Sequence, residues 1–90
     1  MTYISDIEEV DKHLDAHAAY LKQEYANGNF VASGRKIPRT GGIILSCVKN
    51  KEELEAILEK DPFKKAKVAE YNITEFVPNM VAQGFEILQK

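Results

Sequence analysis

Apolar residues recur at helical spacing through the first third of the chain. Positions three or four apart share one face of a helix, and here they are Ile7, Val10, Leu14, His17, Leu21 and Tyr25. This pattern predicts a single helix from about Ile7 to Ala26. Ser5 or Asp6 can cap its start, and Gly28 can take the left-handed conformation that ends a helix. His17 lies in the middle of the apolar stripe and is therefore expected to face inward.

Four other runs have the β-branched and aromatic composition of strands. They are Thr2–Ser5, Phe30–Ser33, Ile43–Val48 and Val68–Val77. The first run is shorter than a usual strand of about five or six residues, so the first strand is expected to be shortened. The third run is apolar on both of its faces, which predicts that this strand is covered on both sides.

A second helix is predicted after the third strand. Asn50 can cap its start, and its buried stripe would be Leu54, Ile57 and Leu58. The helix is expected to end at Lys60, because Pro62 disfavours the helical conformation of the residue before it. A short turn would then lead from Asp61 into the last strand.

The predicted order of elements is β-α-β-β-α-β, in one domain over residues 1–90. This is the ferredoxin-like pattern, an α+β fold in which two helices cover one face of a four-stranded antiparallel sheet. The other face of Ile43–Val48 then needs cover, and the sheet of an identical chain across a two-fold axis is the simplest source. We therefore predict a homodimer. In the tail, a short amphipathic helix is predicted by the spacing of Val81, Phe85 and Leu88.

The composition is that of a soluble globular protein, with 44% apolar and 29% charged residues. A net charge of -2 without a Lys/Arg block favours neither nucleic acid nor an anionic membrane as a partner. Neither a signal peptide nor a membrane-spanning run is recognisable, so a cytoplasmic location is expected. The single cysteine, Cys47, excludes an intramolecular disulfide. No cofactor is predicted, since the chain carries no phosphate-binding glycine motif or nucleophile elbow.

His17 and Asp61 are the candidates for acid/base chemistry. A histidine on an apolar stripe is more often a hydrogen-bonded core residue, and Asp-Pro is a common turn dipeptide. A histidine paired with a carboxylate is also what general acid/base catalysis requires, because the carboxylate fixes the tautomer and stabilises the imidazolium. From the residues alone, both interpretations stay open.

His13 lies four residues before His17, so both rings can reach one metal ion from a helix face. The chain lacks the glutamate and the distant ligand that accompany such histidines in zinc-binding helices. His13 is therefore expected to be an exposed polar residue, and no metal site is predicted.

The loop Gly34–Gly42 combines three glycines with three positive charges. The arginines, Arg35 and Arg39, offer planar sets of donors for a carboxylate or a phenolate, and Ser33 with Gly34 can add hydroxyl and backbone donors. The functional interpretation is a clamp for a small anion. A solvated loop whose charges confer solubility explains the same residues.

Several segments, in this order, resemble the YciI-like (YCII-related) family. They are Ala16–Leu21, Gly28–Gly34, Pro38–Ile43, Glu52–Glu53 with Asp61–Phe63, and Glu70–Phe76. The similarity extends over nearly the whole chain. The chain departs from the family pattern at one position. Where the family usually has Ser-Gly-Pro, this chain has Ser33, Gly34 and Arg35.

The resemblance implies a dimeric α+β barrel, in which two ferredoxin-like protomers pack sheet against sheet. It also implies a catalytic His–Asp dyad in a pocket, carried over here onto His17 and Asp61. A relative is similar to dehydrochlorinases of chlorinated hydroxyquinols, and related barrels include muconolactone isomerases. The expected function is thus general acid/base chemistry of the lyase or isomerase type on a small anionic molecule. The residues expected to bind that anion are Ser33, Gly34, Arg35 and Arg39. The alternatives are a non-catalytic module that binds a small metabolite and a structural dimerisation module.

Overall fold

The computed structural model describes residues 1–89, which contain four strands, four helices and one 3₁₀ turn. The strands are β1 Thr2–Tyr3, β2 Phe30–Arg35, β3 Gly42–Ser46 and β4 Ala69–Glu70. The helices are α1 Ile7–Asp11, α2 Leu14–Ala26, α3 Lys51–Leu58 and α4 Pro62–Lys65, and the 3₁₀ turn is Glu86–Gln89. The predicted α+β class is confirmed.

The strands form two antiparallel pairs, β1 with β4 and β2 with β3. A single bridge between Thr2 and Gly41 places β1 beside the residues that lead into β3. Next to it, Met1 and Gly42 exchange two backbone hydrogen bonds of 3.0 Å. The strands therefore lie in the order β4-β1-β3-β2, each antiparallel to its neighbour, which is compatible with a ferredoxin-like fold.

Gly41 allows β1 to approach this closely. Its φ is +156°, and a Cβ atom at this position would lie 2.0 Å from the carbonyl oxygen of Met1. Any larger residue would push β1 away from β3. The contact between the two strand pairs therefore depends on a glycine inside the loop that the sequence marks as irregular.

The first helix is broken, which corrects the prediction of one helix from Ile7 to Ala26. A turn at residues 12–13 separates α1 from α2. The buried face of α2 consists of His17, Tyr20 and Glu24. By contrast, Leu14 is 42% exposed and Tyr25 is 38% exposed. Because the turn interrupts the helical repeat, residues before and after it no longer share one apolar face.

The predicted ends of the helices agree with the structure better than the predicted single helix does. Gly28, with φ of +80°, follows the end of α2. The Asn50 side chain accepts a hydrogen bond of 2.8 Å from the Glu53 backbone N–H and so caps α3. α3 ends at Leu58, two residues earlier than predicted, and the predicted turn after it contains the one-turn helix α4.

The last strand is much shorter than the predicted Val68–Val77. β4 covers Ala69–Glu70, and residues 71–80 have no regular secondary structure. The residues after β4 extend past the end of β1, so no neighbouring strand offers them backbone partners. The predicted helix in the tail is likewise reduced to the 3₁₀ turn Glu86–Gln89.

The core consists of two clusters. The first cluster joins α1, α4 and β4 through Val10, Phe63, Val68 and Ala69. The second cluster joins α2, α3 and β2 through Tyr20, Phe30, Ile57 and Leu58. Among the helices of residues 1–89, none is long and apolar enough to cross a membrane.

Candidate functional site

A buried hydrogen-bonded pair joins α2 to the start of α4. His17 Nδ1 lies 2.6 Å from Asp61 Oδ1, and 44 residues separate the two in sequence. The His17 side chain is 9% exposed and the Asp61 side chain is fully buried. The structure therefore brings together the two residues that the sequence names as acid/base candidates.

Local structure explains why Asp61 is held so firmly. It is the N-cap residue of α4, and its Oδ1 accepts a hydrogen bond of 3.0 Å from the Phe63 backbone N–H. Pro62 suits the first position of the helix because its missing N–H would have no helical partner there. The Asp-Pro-Phe turn therefore has two roles. It begins α4 after the end of α3, and it places the Asp61 carboxylate against His17.

Aromatic rings fix the orientation of the His17 imidazole. The ring stacks on Phe63 with a centroid distance of 3.9 Å and an interplanar angle of 4°. Tyr20, one turn further along α2, packs at 6.2 Å and donates a hydrogen bond of 2.8 Å to the Ile57 carbonyl. Such packing leaves the imidazole little freedom to rotate, which is a requirement for a positioned proton-transfer group.

Tyr71 is a member of this network that the sequence reasoning missed. Its hydroxyl donates a short hydrogen bond to Asp61 Oδ2. Burial raises the pKa of Tyr71 well above its ordinary value, and the hydrogen bond to Asp61 and the negative charge of that carboxylate act in the same direction. The only sequence signal was the alternation that placed Tyr71 in a strand, and this alternation does not reveal a hydroxyl aimed at Asp61.

The hydrogen bonds around Asp61 determine which nitrogen of His17 is available. An ionised carboxylate only accepts hydrogen bonds, so His17 Nδ1 carries a proton and the neutral ring has its lone pair on Nε2. Within residues 1–89, no buried side-chain nitrogen or oxygen lacks a partner, and Nε2 makes no hydrogen bond. Nε2 therefore reaches the protein surface, where it can accept a proton from a bound molecule.

Three of the predicted anion-binding residues, Ser33, Gly34 and Arg35, lie on β2. Ser33 Oγ and the Tyr25 hydroxyl share a hydrogen bond of 2.6 Å on the exposed side of β2. Gly34 and Arg35 pair with Ile43 and Gly42 in the β2–β3 ladder, and both are exposed. Among residues 1–89, none of the three hydrogen-bonds to His17 or Asp61.

Arg39 is linked to the pair only through aromatic rings. Its guanidinium donates a hydrogen bond of 2.7 Å to Asp11 and lies 5.8 Å from the centroid of Tyr3. Tyr3 in turn meets Phe63 edge-to-face at 6.0 Å, and Phe63 stacks on His17. The hydrogen bond to Asp11 raises the pKa of Arg39. This guanidinium therefore already has one carboxylate partner.

His13 is half-buried and occupies the N-cap position of α2, where its side chain makes no capping hydrogen bond. Within the described part of the chain, no three His, Cys, Asp or Glu side chains are grouped closely enough to hold a metal ion.

Tyr71 also lines a groove of about 420 Å³. One flank is formed by residues 43–46 of β3 and the other by residues 71–76, while Leu54 and Leu58 of α3 contribute to its lining. Tyr71 therefore belongs both to the network around Asp61 and to the wall of this groove. Hereafter we call this cavity the strand groove.

The fold and the buried pair define a class of protein, a small α+β domain with a histidine and an aspartate held together in its interior. A model of the YCII-related domain matches residues 1–77. The chain therefore belongs to the YCII-related domain family, and the resemblance noted in the sequence is confirmed. No curated protein and no solved structure matches the chain.

Proposed function

We propose that this protein is a YciI-like enzyme that performs general acid/base chemistry on a small anionic molecule. The observation that carries the proposal is the contact of 2.6 Å between His17 and Asp61, with Nε2 of His17 left free to exchange a proton. A buried histidine oriented by a carboxylate is the arrangement that enzymes use for this purpose.

In the proposed reaction, Nε2 of His17 removes a proton from the substrate and the ring becomes an imidazolium. Asp61 stabilises this cation because its carboxylate already accepts a hydrogen bond from the Nδ1–H group. The proton then returns to the product, as in an isomerase, or leaves with an eliminated group, as in a lyase. Tyr71 and the Phe63 backbone N–H hold Asp61 in place throughout.

The substrate's negative charge requires cations near His17. Arg39 is the better placed arginine of the loop, since Tyr3 and Phe63 connect it to the His17 ring. Ser33, Gly34 and Arg35 complete the proposed anion site, in which an arginine supplies planar, charge-assisted hydrogen bonds.

The proposal includes a cytoplasmic homodimer with the architecture of a dimeric α+β barrel. Its support is apolar surface that residues 1–89 leave uncovered. Ile43 in β3 is 59% exposed, and in the segment after β4 Phe76 is 60% and Val77 is 84% exposed. A second sheet packed on this side would bury such residues, and a two-fold axis makes both chains equivalent.

A second candidate function, a non-catalytic module, is favoured by the structural role of Asp61. Its carboxylate caps α4 and accepts the Tyr71 hydroxyl, so folding alone accounts for these two contacts. Such a module would bind a small metabolite without converting it, or would serve only for dimerisation.

A paired screen distinguishes these functions. Small carboxylates, phenols, quinols and lactones are tested by thermal shift and for product formation with the unmodified chain, His17→Gln and His13→Gln. The enzyme proposal expects a ligand that is converted by the unmodified chain and by His13→Gln. The rate with His17→Gln should be about 10²- to 10⁴-fold lower, the usual contribution of one acid/base group.

Each opposing result has a defined meaning. Unchanged turnover by His17→Gln would remove His17 from the mechanism. Saturable binding without product would favour the metabolite-binding module. If no ligand raises Tm, the structural module is supported, because a specific ligand at about 100 times its Kd adds about 2.7 kcal/mol.

A further inference from the structure

Asp61 receives its hydrogen bonds from three different parts of the chain. Its Oδ1 atom accepts from His17 Nδ1 at 2.6 Å and from the Phe63 backbone N–H at 3.0 Å. Its Oδ2 atom accepts from the Tyr71 hydroxyl. The ion pairs that lysine and arginine form among residues 1–89 all involve other carboxylates. Hydrogen-bond donors therefore balance the charge of this fully buried carboxylate, and each donor affects how strongly the others are held.

Tyr71 differs from the other two donors because it belongs neither to the proton-transferring pair nor to a helix cap. His17 is the proposed base, and the Phe63 N–H is a backbone group that the start of α4 supplies. The Tyr71 hydroxyl depends on the side chain alone, and phenylalanine has nearly the same shape without the donor. This hydroxyl is thus a contact through which a change of one residue can adjust the pair and leave its geometry in place.

The hydrogen bond from Tyr71 acts against protonation of the His17–Asp61 pair. A donor at Oδ2 draws negative charge away from Oδ1, so the carboxylate stabilises an imidazolium less. The same bond favours the ionised form of Asp61, which makes the carboxylate a poorer acceptor of a proton. Because a proton taken up by a coupled pair belongs to both groups, the two effects lower the affinity of the pair for it.

The Tyr71 hydroxyl is available as a donor wherever a histidine exchanges its proton. Burial raises the pKa of Tyr71 above its ordinary value, and the hydrogen bond to Asp61 and the charge of that carboxylate raise it further. The phenol therefore stays protonated between about pH 5 and 8, where histidines titrate. The coupling is reciprocal, so a carboxylate that holds the phenol proton in place is itself made less basic by that phenol.

The other titratable groups around the pair have partners elsewhere or are exposed. On α2, Tyr20 donates to the Ile57 carbonyl and Glu24 accepts from Asn29. On and beside the elements that pack against α2, the ion pairs are Glu9 with Lys12, Asp11 with Arg39, and Lys64 with Glu59. The remaining groups are the half-buried His13 and Tyr3 and the exposed Glu8, Asp15, Arg35, Lys65 and Glu70.

We propose that Tyr71 is a positioning residue of the acid/base reaction: through Asp61 its hydroxyl extends to lower pH the range in which Nε2 of His17 is unprotonated. This role rests on the proposed function, because it matters only if Nε2 accepts a proton from a substrate. Without the hydroxyl, the pair would keep its proton to higher pH, and fewer molecules would begin a turnover with a free base.

The first test follows the His17 ring by NMR while the pH is varied. The chain contains two histidines, so isotope-labelled histidine gives two sets of ring signals, and His13 is the reference in the same sample. The unmodified chain is compared with Tyr71→Phe and with Tyr25→Phe, which removes a hydroxyl that is bonded to Ser33. The variant His17→Gln assigns the signals.

We expect Tyr71→Phe to raise the midpoint of the His17 titration by about 0.5 to 1 pH unit, because Asp61 loses one of its donors. The His13 midpoint should stay unchanged, as should both midpoints in Tyr25→Phe. A tyrosine fluorinated next to its hydroxyl is a stronger donor, and at residue 71 it should lower the His17 midpoint. An unmoved midpoint in Tyr71→Phe, or a change in the same direction for both replacements, would overturn the proposal.

A further control separates the hydrogen bond from a general loss of stability. Ile57→Val is a buried change in the second core cluster and lowers stability without removing a donor to Asp61. Its His17 midpoint should equal that of the unmodified chain. A rise as large as that in Tyr71→Phe would assign the effect to loosened packing and would contradict the positioning role.

The second test uses a ligand that the paired screen shows to be converted. The acid limb of kcat/KM against pH reports the base of the free enzyme. In Tyr71→Phe this limb should move upward by the same amount as the His17 midpoint, with the plateau at higher pH retained. A merely structural role would lower the plateau and leave the limb in place, which would overturn the proposal.

Together the two tests separate this proposal from the proposed function. An unmoved midpoint, with turnover that still depends on His17, would remove the role of Tyr71 and leave the function standing. A moved midpoint, with turnover that His17→Gln leaves unchanged, would end the proposed function and the positioning role of Tyr71 with it.

Discussion

Two regions of this protein differ in how completely they bury their apolar side chains. The dyad region, made of α1, α2, α4, β1 and β4, encloses the side chains of the first core cluster, with Val10 fully buried and Phe63 1% exposed. The groove region, made of β3 and residues 71–87, leaves Phe76 60% and Met80 88% exposed. One region is completed by its own chain, whereas the other presents surfaces that further polypeptide can cover. Substitutions in the first should affect folding, and those in the second should affect association.

The largest contrast is expected between two phenylalanines. Phe63→Ala should lower the free energy of unfolding by about 3–5 kcal/mol, because it opens a cavity in the first core cluster and removes the surface on which His17 stacks. Phe76→Ala should cost less than about 0.5 kcal/mol in the isolated chain. Urea unfolding measures both. Equal losses would show that Phe76 is covered in solution, and the contrast between the two regions would fail.

Two aspartates allow a buried hydrogen-bond network to be compared with an exposed ion pair. Asp61→Ala should destabilise the fold by about 3 kcal/mol, since His17, Tyr71 and the Phe63 N–H all lose a buried acceptor. Asp11→Ala removes the exposed pair with Arg39 and should cost less than about 1 kcal/mol. Chemical denaturation of both variants at neutral pH provides the comparison, and a mild Asp61 variant would mean that the network contributes little to stability.

The Tyr71 hydroxyl connects the two regions, and its removal should have an intermediate effect. Tyr71→Phe leaves Asp61 Oδ2 without its donor and should cost about 1–2 kcal/mol. The matched control is Tyr25→Phe, which removes an exposed hydrogen bond to Ser33 and should cost no more than a few tenths of a kcal/mol, about the value of a surface change. Thermal melts of both variants test this, and indistinguishable melts would place Tyr71 outside the network.

The smallest effect is expected in alkaline solution. Burial raises the pKa of Tyr71 and of Tyr20 above their ordinary values, and the charge of Asp61 adds to both. Above about pH 10 the unfolded chain releases phenol protons that the folded chain retains. The contribution of these two tyrosines to stability should thus be constant below that pH and fall above it, with a shallower fall in Tyr71→Phe. Urea midpoints on both sides of pH 10 measure the slope, and parallel slopes would contradict the assignment to Tyr71.

The sequence predicted the order of elements because the residues at the helix ends give strong local signals. Asn50 caps α3 and Gly28 follows α2, as their side-chain chemistry and backbone freedom require. The prediction of one long helix was wrong, since an apolar stripe reports spacing and is insensitive to the turn at residues 12–13. The predicted last strand was too long for a related reason. Alternation of side chains indicates that a segment can pair as a strand, and it does not indicate that a neighbouring strand is present.

For the candidate site, the sequence by itself determined which side chains have the right chemistry, His17 and Asp61, and the family to which the chain belongs. Only the tertiary structure decided that they meet, because 44 residues separate them and contact depends on how α2 packs against α4. The tertiary structure also added Tyr71 and Phe63, and it formed the strand groove between β3 and residues 71–76. Capping and helix spacing are local properties, whereas hydrogen-bond networks and strand neighbours are set by packing of distant segments.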